Sequence, residues 1–330
     1  MKAAFIEELG PAENILYGDL PKPKPTGSEV LVKVEASSVN PVDTYVRSGA
    51  IAMDLPMPYI IGCDVAGTVD AVGPDVTRYQ RGDRVWGSNQ GLLGRQGTAA
   101  RFVVADECWL YKTPAEVSSR DAAAMALVGI TAHLGLFRDA RLGAAETVFV
   151  NGGTGGVGSC VVQMARAIGA RVITTVGSDE KAAVAKQLGA HIAVNYKTED
   201  VDEAIRRFAP EGLNVWFETL REQDFERTVS LMAKGGRIVV MAGRDSKPPL
   251  PVGPFYVNDL KMYGFAMFNA PASEQRKCAA EINRWMGKGR LRPLIGAVMK
   301  FDEAADAHRL QEENTLEGAG TLTGKIVLEP

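Results

Sequence analysis

Short apolar stretches alternate with helical patterns through the second half of the chain. A strand is predicted where apolar or β-branched residues run together, and a helix where apolar residues recur every three or four positions. Strands separated by helices predict an α/β fold with a doubly wound parallel sheet of about six strands. The predicted strands lie at 147–150, 171–176, 192–196, 213–219, 237–242 and 261–268.

The beginning and the end of the chain follow a different pattern. Val30, Val32 and Val34 occupy alternate positions, and turns such as Gly73-Pro74-Asp75 interrupt the apolar stretches often. Short strands between frequent turns predict a compact, barrel-like β-rich domain. The segment 324–328 has a further strand pattern, which we predict returns to this domain. The predicted domains are 1–121, completed by about 290–330, and 122–289.

Composition narrows the possible functions. The chain has 330 residues, of which 46% are hydrophobic and 23% charged, with a net charge of −3. These values are typical of a globular protein of about two domains, and without a basic stripe they argue against nucleic-acid and membrane partners. The N-terminus has no signal-peptide pattern, and the apolar region 122–137 is too short to span a bilayer. We predict a cytoplasmic protein.

Cysteine and histidine spacing argues against a metal site. The four cysteines are far apart and form no CxxC pair, which favours a reducing compartment over a disulfide framework. None of the three histidines lies at ligand spacing from a cysteine or from another histidine. We predict no bound metal.

A glycine-rich turn carries the strongest functional signal. The apolar stretch 147–150 leads into Gly153-Thr154-Gly155-Gly156-Val157-Gly158, and a helical pattern follows. In this context glycines allow a tight turn and a close approach of backbone to a pyrophosphate, which lies at the helix N-terminus. The turn therefore predicts a dinucleotide site with contacts from 154–157; the alternative is a purely structural glycine turn.

The end of the second predicted strand indicates which dinucleotide binds. Sites that select NAD place an acid here to bind the ribose hydroxyls, whereas this chain has Gly177-Ser178. The Ser178 hydroxyl, the Lys181 ammonium and the Tyr196 phenol could bind a 2′-phosphate instead. We predict NADPH as the cofactor. The alternative is Asp179, which follows directly and could bind the ribose of NADH.

Several motifs carry a resemblance to a known family. The chain resembles the zinc-free quinone oxidoreductases of the medium-chain dehydrogenase/reductase superfamily, the zeta-crystallin-like branch. The resemblance implies a GroES-like catalytic domain, a Rossmann nucleotide-binding domain and a homodimer. Zinc-dependent relatives have a cysteine within the segment aligned with 40–43 and a His-Glu pair at 63–64, so the resemblance also implies zinc independence. The motifs are 36–49, Gly62-Cys63-Asp64-Val65-Ala66-Gly67, Gly82-Asp83-Arg84-Val85, the glycine turn and Gly324-Lys325.

The resemblance also implies a reaction and further site residues. Without a metal, the acceptor must already draw electrons, as a quinone or an α,β-unsaturated carbonyl does, and NADPH supplies the hydride. Asn40 is expected beside the nicotinamide ribose and the acceptor, and Tyr45 is expected to donate a hydrogen bond to the acceptor; the alternative for Tyr45 is an aromatic wall. Asp43 is expected to fix its loop. The remaining implied cofactor residues are Thr131, Leu220, Gly243, Arg244, Phe268 and Lys325.

Two other functions remain open at this point. An enoyl-thioester reductase would need basic residues for a phosphorylated carrier, and Arg47, Arg95 and Arg101 are the candidates. A non-catalytic, nucleotide-binding or RNA-associated crystallin-like protein would need a basic groove with stacking aromatics, which the dispersed 7% aromatic residues do not suggest. The sequence does not distinguish a quinone from an enone or an acyl thioester as the acceptor.

Overall fold

The computed structural model describes all residues, Met1–Pro330, and the chain divides into two compact units. The first unit comprises Met1–Leu127 and Pro271–Pro330, and the second comprises Val128–Ala270. No helix is both long enough and apolar enough to cross a lipid bilayer. All four cysteines are free thiols.

The secondary structure comprises sixteen strands and nine α-helices. The strands are β1 Lys2–Ile6, β2 Leu16–Asp19, β3 Glu29–Val39, β4 Tyr59–Ile60, β5 Asp64–Val72, β6 Arg84–Gly87, β7 Phe102–Asp106, β8 Leu110–Lys112, β9 Thr147–Val150, β10 Arg171–Val176, β11 Ile192–Asn195, β12 Leu213–Glu218, β13 Met232–Val240, β14 Lys261–Gly264, β15 Ile295–Lys300 and β16 Lys325–Glu329. The helices are α1 Pro41–Ser48, α2 Ser119–His133, α3 Gly156–Ala167, α4 Asp179–Gln187, α5 Val201–Phe208, α6 Phe225–Ser230, α7 Val252–Val257, α8 Ala272–Gly287 and α9 Ala304–Thr315.

The second unit contains the predicted parallel sheet. Its six strands run in the order β11-β10-β9-β12-β13-β14, and every pairing is parallel. All four residues of the central strand β9 are buried, and Phe149 packs with Ile173, Trp216 and Ile238 in the core. The last strand is shorter than predicted because β14 ends at Gly264, so Phe268 lies in the 3₁₀ turn Met267–Asn269 that follows it.

The first unit is built around a seven-stranded sheet. The order is β15-β16-β3-β5-β6-β8, with β7 also paired to β3, and a separate three-stranded sheet has the order β2-β1-β4. The tail strand returns to this unit as predicted, because β16 runs antiparallel to β3 with Ile326 opposite Val39. This pairing places Lys325, the first residue of β16, at the end of β3.

The boundary between the units differs from the predicted one. The segment 271–289 was assigned to the parallel-sheet domain, yet α8 belongs to the first unit. Trp86 Nε1 donates to Asn283 Oδ1 at 2.9 Å, and Asn89 Nδ2 donates to Gln275 Oε1 at 2.8 Å. An amphipathic pattern shows that a helix has a buried face but does not identify the core that covers it.

Candidate active site

A buried polar cluster lies where β3 ends and α1 begins. Asn40 is fully buried and uses both ends of its amide: Nδ2 donates to Asp64 Oδ2 at 2.8 Å, and Oδ1 accepts from the Lys325 ammonium. Lys325, which is also buried, donates to the Val39 carbonyl at 2.6 Å. Because the amide is bonded at both ends, its orientation is fixed.

Asp64 provides the negative charge of this cluster. Its carboxylate accepts from Ser38 Oγ at 2.8 Å and from the Leu127 N–H at 3.1 Å, and Lys325 Nζ lies 3.9 Å from Oδ2. Burial raises the pKa of Asp64, whereas Lys325 and the hydrogen bonds from Asn40 and Ser38 oppose the rise. A buried carboxylate needs such partners to remain charged.

Asp43 fixes the loop that precedes α1, as the sequence predicts. The Asn40 N–H donates to Asp43 Oδ2 at 2.7 Å, which satisfies a backbone donor at the helix N-terminus. Burial raises the pKa of Asp43 to about 7; the Cys63 thiol opposes this rise, and the neighbouring Asp64 adds to it. Burial likewise raises the pKa of Cys63, so this cysteine is an inert core thiol.

The raised pKa of Asp43 predicts that stability depends on pH, and Asp43→Asn should weaken that dependence. The native carboxyl titrates near pH 7 instead of 3.8, so its contribution to stability is present below about pH 4 and is lost as the pH rises through 7. Asparagine keeps a carbonyl acceptor but does not titrate. Urea unfolding should show that, between pH 5 and pH 8, the free energy of unfolding of the wild type falls by about 1–3 kcal/mol more than that of Asp43→Asn. The exposed Asp75→Asn is the control, and identical pH profiles for wild type and Asp43→Asn would contradict the assignment.

Two further predicted residues of the first unit, Tyr45 and Lys325, are bonded within that unit. Tyr45 is half-buried on α1, and its carbonyl accepts from Ser48 Oγ at 3.2 Å and from the Ile51 N–H at 3.2 Å. Lys325 was predicted to bind the cofactor, and the structure gives it partners inside the first unit. A catalytic role for Tyr45 and a cofactor contact for Lys325 remain predictions.

In the second unit the glycine turn joins β9 to α3. The helix begins at Gly156, with Gly155 as its N-cap. A Cβ on Gly153 would lie 2.2 Å from Thr174 Oγ1, and a Cβ on Gly158 would lie 2.2 Å from the Gly152 carbonyl oxygen. Only glycine fits at either position without moving the turn. Of the other predicted residues here, Thr154 is buried and Val157 half-buried.

A buried network that the sequence analysis missed supports this turn. Asn151 Nδ2 donates to both carboxylate oxygens of Glu218, at 2.9 and 2.8 Å. Thr175 Oγ1 donates to Asn151 Oδ1 at 3.1 Å and accepts from the Gly152 N–H at 3.0 Å. Burial raises the pKa of Glu218, whereas hydrogen bonds from Leu220 and Trp216 oppose the rise. The three side chains lie at the carboxyl ends of β9, β10 and β12, where ligands bind in such sheets.

A pair of lysines follows β10 and β11: Lys181 lies in the first turn of α4, and Lys197 lies two residues after β11. Burial lowers the pKa of Lys181, and the nearby Lys197 ammonium lowers it further. The sequence analysis named Lys181 but not Lys197. Tyr196 is exposed, and its hydroxyl lies against Gly177, where a Cβ would be 2.9 Å away.

Ser178 and Asp179, whose side chains favour different nucleotides, both form hydrogen bonds within the protein. Ser178 Oγ accepts from the Lys181 N–H at 3.3 Å as the N-cap of α4, and its hydroxyl lowers the pKa of the exposed Glu180. Asp179 Oδ1 accepts from Asn195 Nδ2 at 2.8 Å. The acid that could favour NADH is therefore already hydrogen-bonded within the protein.

The other predicted cofactor residues are distributed over the second unit. Thr131 is buried on α2, and its Oγ1 has no hydrogen-bond partner. Leu220 is exposed, with its N–H bonded to Glu218 Oε1 at 2.8 Å. Gly243 has a φ of +83°, Arg244 is half-exposed, and Phe268 is half-buried. Cofactor contacts from these residues remain predictions.

The residues present in the second unit fit a nicotinamide dinucleotide. The turn excludes any side chain at Gly153 and Gly158, as a backbone that approaches a pyrophosphate requires. The Lys181–Lys197 pair supplies cations for a phosphate, and the unpartnered Thr131 hydroxyl offers a hydrogen bond. No group of three or more His, Cys, Asp and Glu side chains is placed to hold a metal ion.

Comparisons with known proteins agree with this architecture. A family model described as an alcohol dehydrogenase GroES-like domain matches residues 26–115, and one described as a zinc-binding dehydrogenase matches residues 156–284. Together with the all-parallel second sheet, these matches confirm the predicted fold class.

Individual relatives are similar over nearly the whole chain. The human quinone oxidoreductase is 32% identical over 332 residues, which cover 99% of this chain and 97% of the relative. The structure of an NAD-dependent alcohol dehydrogenase is 32% identical with a TM-score of 0.88, and both chains are covered in full. A mycobacterial protein solved in complex with NADPH is 30% identical with a TM-score of 0.86, again with full coverage of both chains.

Proposed function

The chain belongs to the quinone oxidoreductases of the medium-chain dehydrogenase/reductase superfamily and is an oxidoreductase that uses a nicotinamide cofactor, and from this premise we propose its specific reaction. It is an NADPH-dependent, zinc-independent reductase of quinones or other α,β-unsaturated carbonyl compounds. The observation that carries the proposal is the glycine turn combined with the Lys181–Lys197 pair, which follows the next two strands along the chain.

The choice of NADPH follows from charge. The 2′-phosphate adds negative charge that NADH lacks, and two neighbouring ammonium groups favour it. Asp179, which could bind the ribose of NADH, already accepts a hydrogen bond from Asn195. The alternative is NADH, because one similar structure is that of an NAD-dependent enzyme.

Zinc independence is supported by the donor set around Asn40. Zinc-dependent relatives have a cysteine within the segment aligned with 40–43, and this chain has none there. An amide such as that of Asn40 is not among the usual protein ligands of Zn²⁺. The Lys325 ammonium already binds Asn40 Oδ1 and lies 3.9 Å from Asp64, so the negative charge of Asp64 is matched inside the protein. A further cation there would meet a buried positive charge.

The acceptor must then be activated by the protein's own hydrogen bonds. When bound, NADPH supplies a hydride from C4 of its nicotinamide. Reduction of a quinone or enone places negative charge on the acceptor oxygen, and a positioned donor stabilises that charge. We assign this role to the Tyr45 hydroxyl on α1. Asn40, with its amide fixed by Asp64 and Lys325, holds the start of that helix.

A panel of acceptors tests the reaction. NADPH oxidation should be rapid with quinones or with simple enones, and dialysis against a zinc chelator should leave the rate unchanged. Preferential turnover of acyl-CoA esters would support the enoyl-thioester alternative. Tight NADPH binding without turnover of any acceptor would support the non-catalytic alternative. Loss of activity with removal of tightly bound zinc would refute zinc independence.

Tyr45→Phe should lower kcat by about 100-fold or more, because it removes the donor without removing the ring. The dissociation constant for NADPH should stay the same, because the variant keeps the aromatic ring and the proposed partner of the lost hydroxyl is the acceptor, not the cofactor. Stopped-flow turnover with a quinone and fluorescence titration of NADPH measure the two quantities. Tyr17→Phe, on β2 of the same unit, is the matched control. An unchanged kcat would make Tyr45 an aromatic wall residue.

We also propose a homodimer formed through the second unit. Its sheet ends in the unpaired edge strand β14, and an open edge is a template for pairing with another chain. On helix α7, which precedes β14 in the chain, Val252, Tyr256 and Val257 are 63–68% exposed. Exposed apolar side chains and an open sheet edge are both typical of an interface between identical subunits. The cytoplasmic location remains a prediction.

A further inference from the structure

We infer that Asn195 sets nucleotide choice by holding the Asp179 carboxylate at the end of β11. This inference rests on the proposed use of NADPH and adds a residue that acts on the nucleotide through another one. Asn195 is thus a positioning residue, which does not itself need to touch the cofactor.

The sheet register brings the two residues together. In the parallel pairing of β10 with β11, Asn195 lies opposite Val176, the last residue of β10. The chain leaves β10 through Gly177 and Ser178, and Asp179 is the first residue of α4. Asn195 Nδ2 donates to Asp179 Oδ1 at 2.8 Å. The polar end of β11 therefore binds the acid that follows the end of β10.

Asn195 cannot easily adopt another orientation. It is buried, its N–H donates to Glu199 Oε1 at 2.8 Å, and its Oδ1 accepts from the Lys197 N–H at 3.2 Å. Since the amide oxygen must face a donor, the amide nitrogen must face Asp179. Flipping the amide would place its nitrogen against the Lys197 N–H and its oxygen against the carboxylate, and both contacts are repulsive.

The held carboxylate decides between the two nucleotides. A free Asp179 could accept hydrogen bonds from the ribose of NADH, and the same charge would repel the 2′-phosphate of NADPH. With one oxygen bound to Asn195, the acid is less available to a ribose hydroxyl. The bond does not remove the charge of Asp179 but fixes its position, while Lys181 and Lys197 supply positive charge for the phosphate. The exposed Glu180 is present in every variant considered below and does not alter the comparison.

The test uses nucleotide fragments, so that binding is measured without turnover. Calorimetric titration with 2′,5′-ADP reports the phosphate subsite, and ADP, which lacks the 2′-phosphate, is the reference ligand. In Asn195→Ala the freed carboxylate should weaken 2′,5′-ADP binding by about tenfold and leave ADP binding equal or tighter. The loss should shrink as the salt concentration rises, because it arises from charge.

A second substitution separates charge from structural damage. In the double variant Asn195→Ala/Asp179→Asn, 2′,5′-ADP affinity should return to within about twofold of the Asp179→Asn single variant. An Asn195→Ala variant that binds 2′,5′-ADP as the wild type does would overturn the inference. A loss that Asp179→Asn does not recover would also overturn it, since that loss would come from a disturbed loop at 195–197.

The affinities of the wild-type protein for 2′,5′-ADP and ADP separate the proposed choice of NADPH from the role of Asn195. If wild-type protein binds 2′,5′-ADP no better than ADP, the proposed choice of NADPH fails, and the inference fails with it. If wild-type protein prefers 2′,5′-ADP and Asn195→Ala keeps that preference, only the role of Asn195 is refuted.

Discussion

Replacing Lys325 by methionine is expected to lower the free energy of unfolding by about 3–5 kcal/mol. Methionine has a similar length but no charge, so the fully buried Asp64 carboxylate loses its only nearby cation. The Val39 carbonyl and Asn40 Oδ1 lose a donor at the same time. Removing one partner of a buried ion pair is far more damaging than removing both, because the remaining charge is left in a low dielectric.

Urea unfolding measures this effect, and two further variants identify its cause. Lys300→Met removes a lysine from the exposed side of the neighbouring strand β15, where Nζ lies 3.9 Å from Glu329, and should change stability by less than about 0.5 kcal/mol. Adding Asp64→Asn to Lys325→Met should recover at least about 1 kcal/mol, because no buried charge remains unpaired. A Lys325→Met variant as stable as the wild type would contradict a stabilising role for the buried ion pair.

The Lys325–Asn40 contact shows what local sequence patterns cannot predict. The sequence indicated a returning tail strand, because a strand pattern is visible within five or six residues. The contact itself joins residues 285 positions apart, and it depends on the register that places Ile326 opposite Val39. A shift of one residue would turn Lys325 to the other face, and nothing in the tail alone fixes that register.

The glycine turn and the network behind it show a second limit. The turn was predictable because strand, glycines and helix are consecutive in the chain. Asn151, Thr175 and Glu218 lie at the ends of three different strands, and each alone is an ordinary polar residue. A signal was available, since each lies at or next to the carboxyl end of a predicted strand, where a doubly wound sheet places its ligand site. Using it requires the strand order β10-β9-β12.

Gly158→Ala should weaken NADPH binding by about tenfold to a hundredfold. The added Cβ would lie 2.2 Å from the Gly152 carbonyl oxygen and 3.3 Å from the Gly153 Cα, so backbone atoms of the turn must move. Overpacking of this kind costs about 1–3 kcal/mol. We expect part of that cost to appear as lost nucleotide affinity, because the same backbone is the proposed pyrophosphate cradle.

Gly143→Ala is the matched control for this substitution. Gly143 lies in the same unit, and a Cβ there would meet only the Glu146 side chain at 3.6 Å, an ordinary van der Waals contact. Fluorescence titration with NADPH gives the affinities, and thermal unfolding without nucleotide gives the stability of each variant. If Gly158→Ala is destabilised but binds NADPH as tightly as Gly143→Ala does, the glycines serve only helix packing and the pyrophosphate must lie elsewhere. A loss of affinity that exceeds the loss of stability would place the nucleotide on this turn, because packing alone does not distinguish the free protein from the complex.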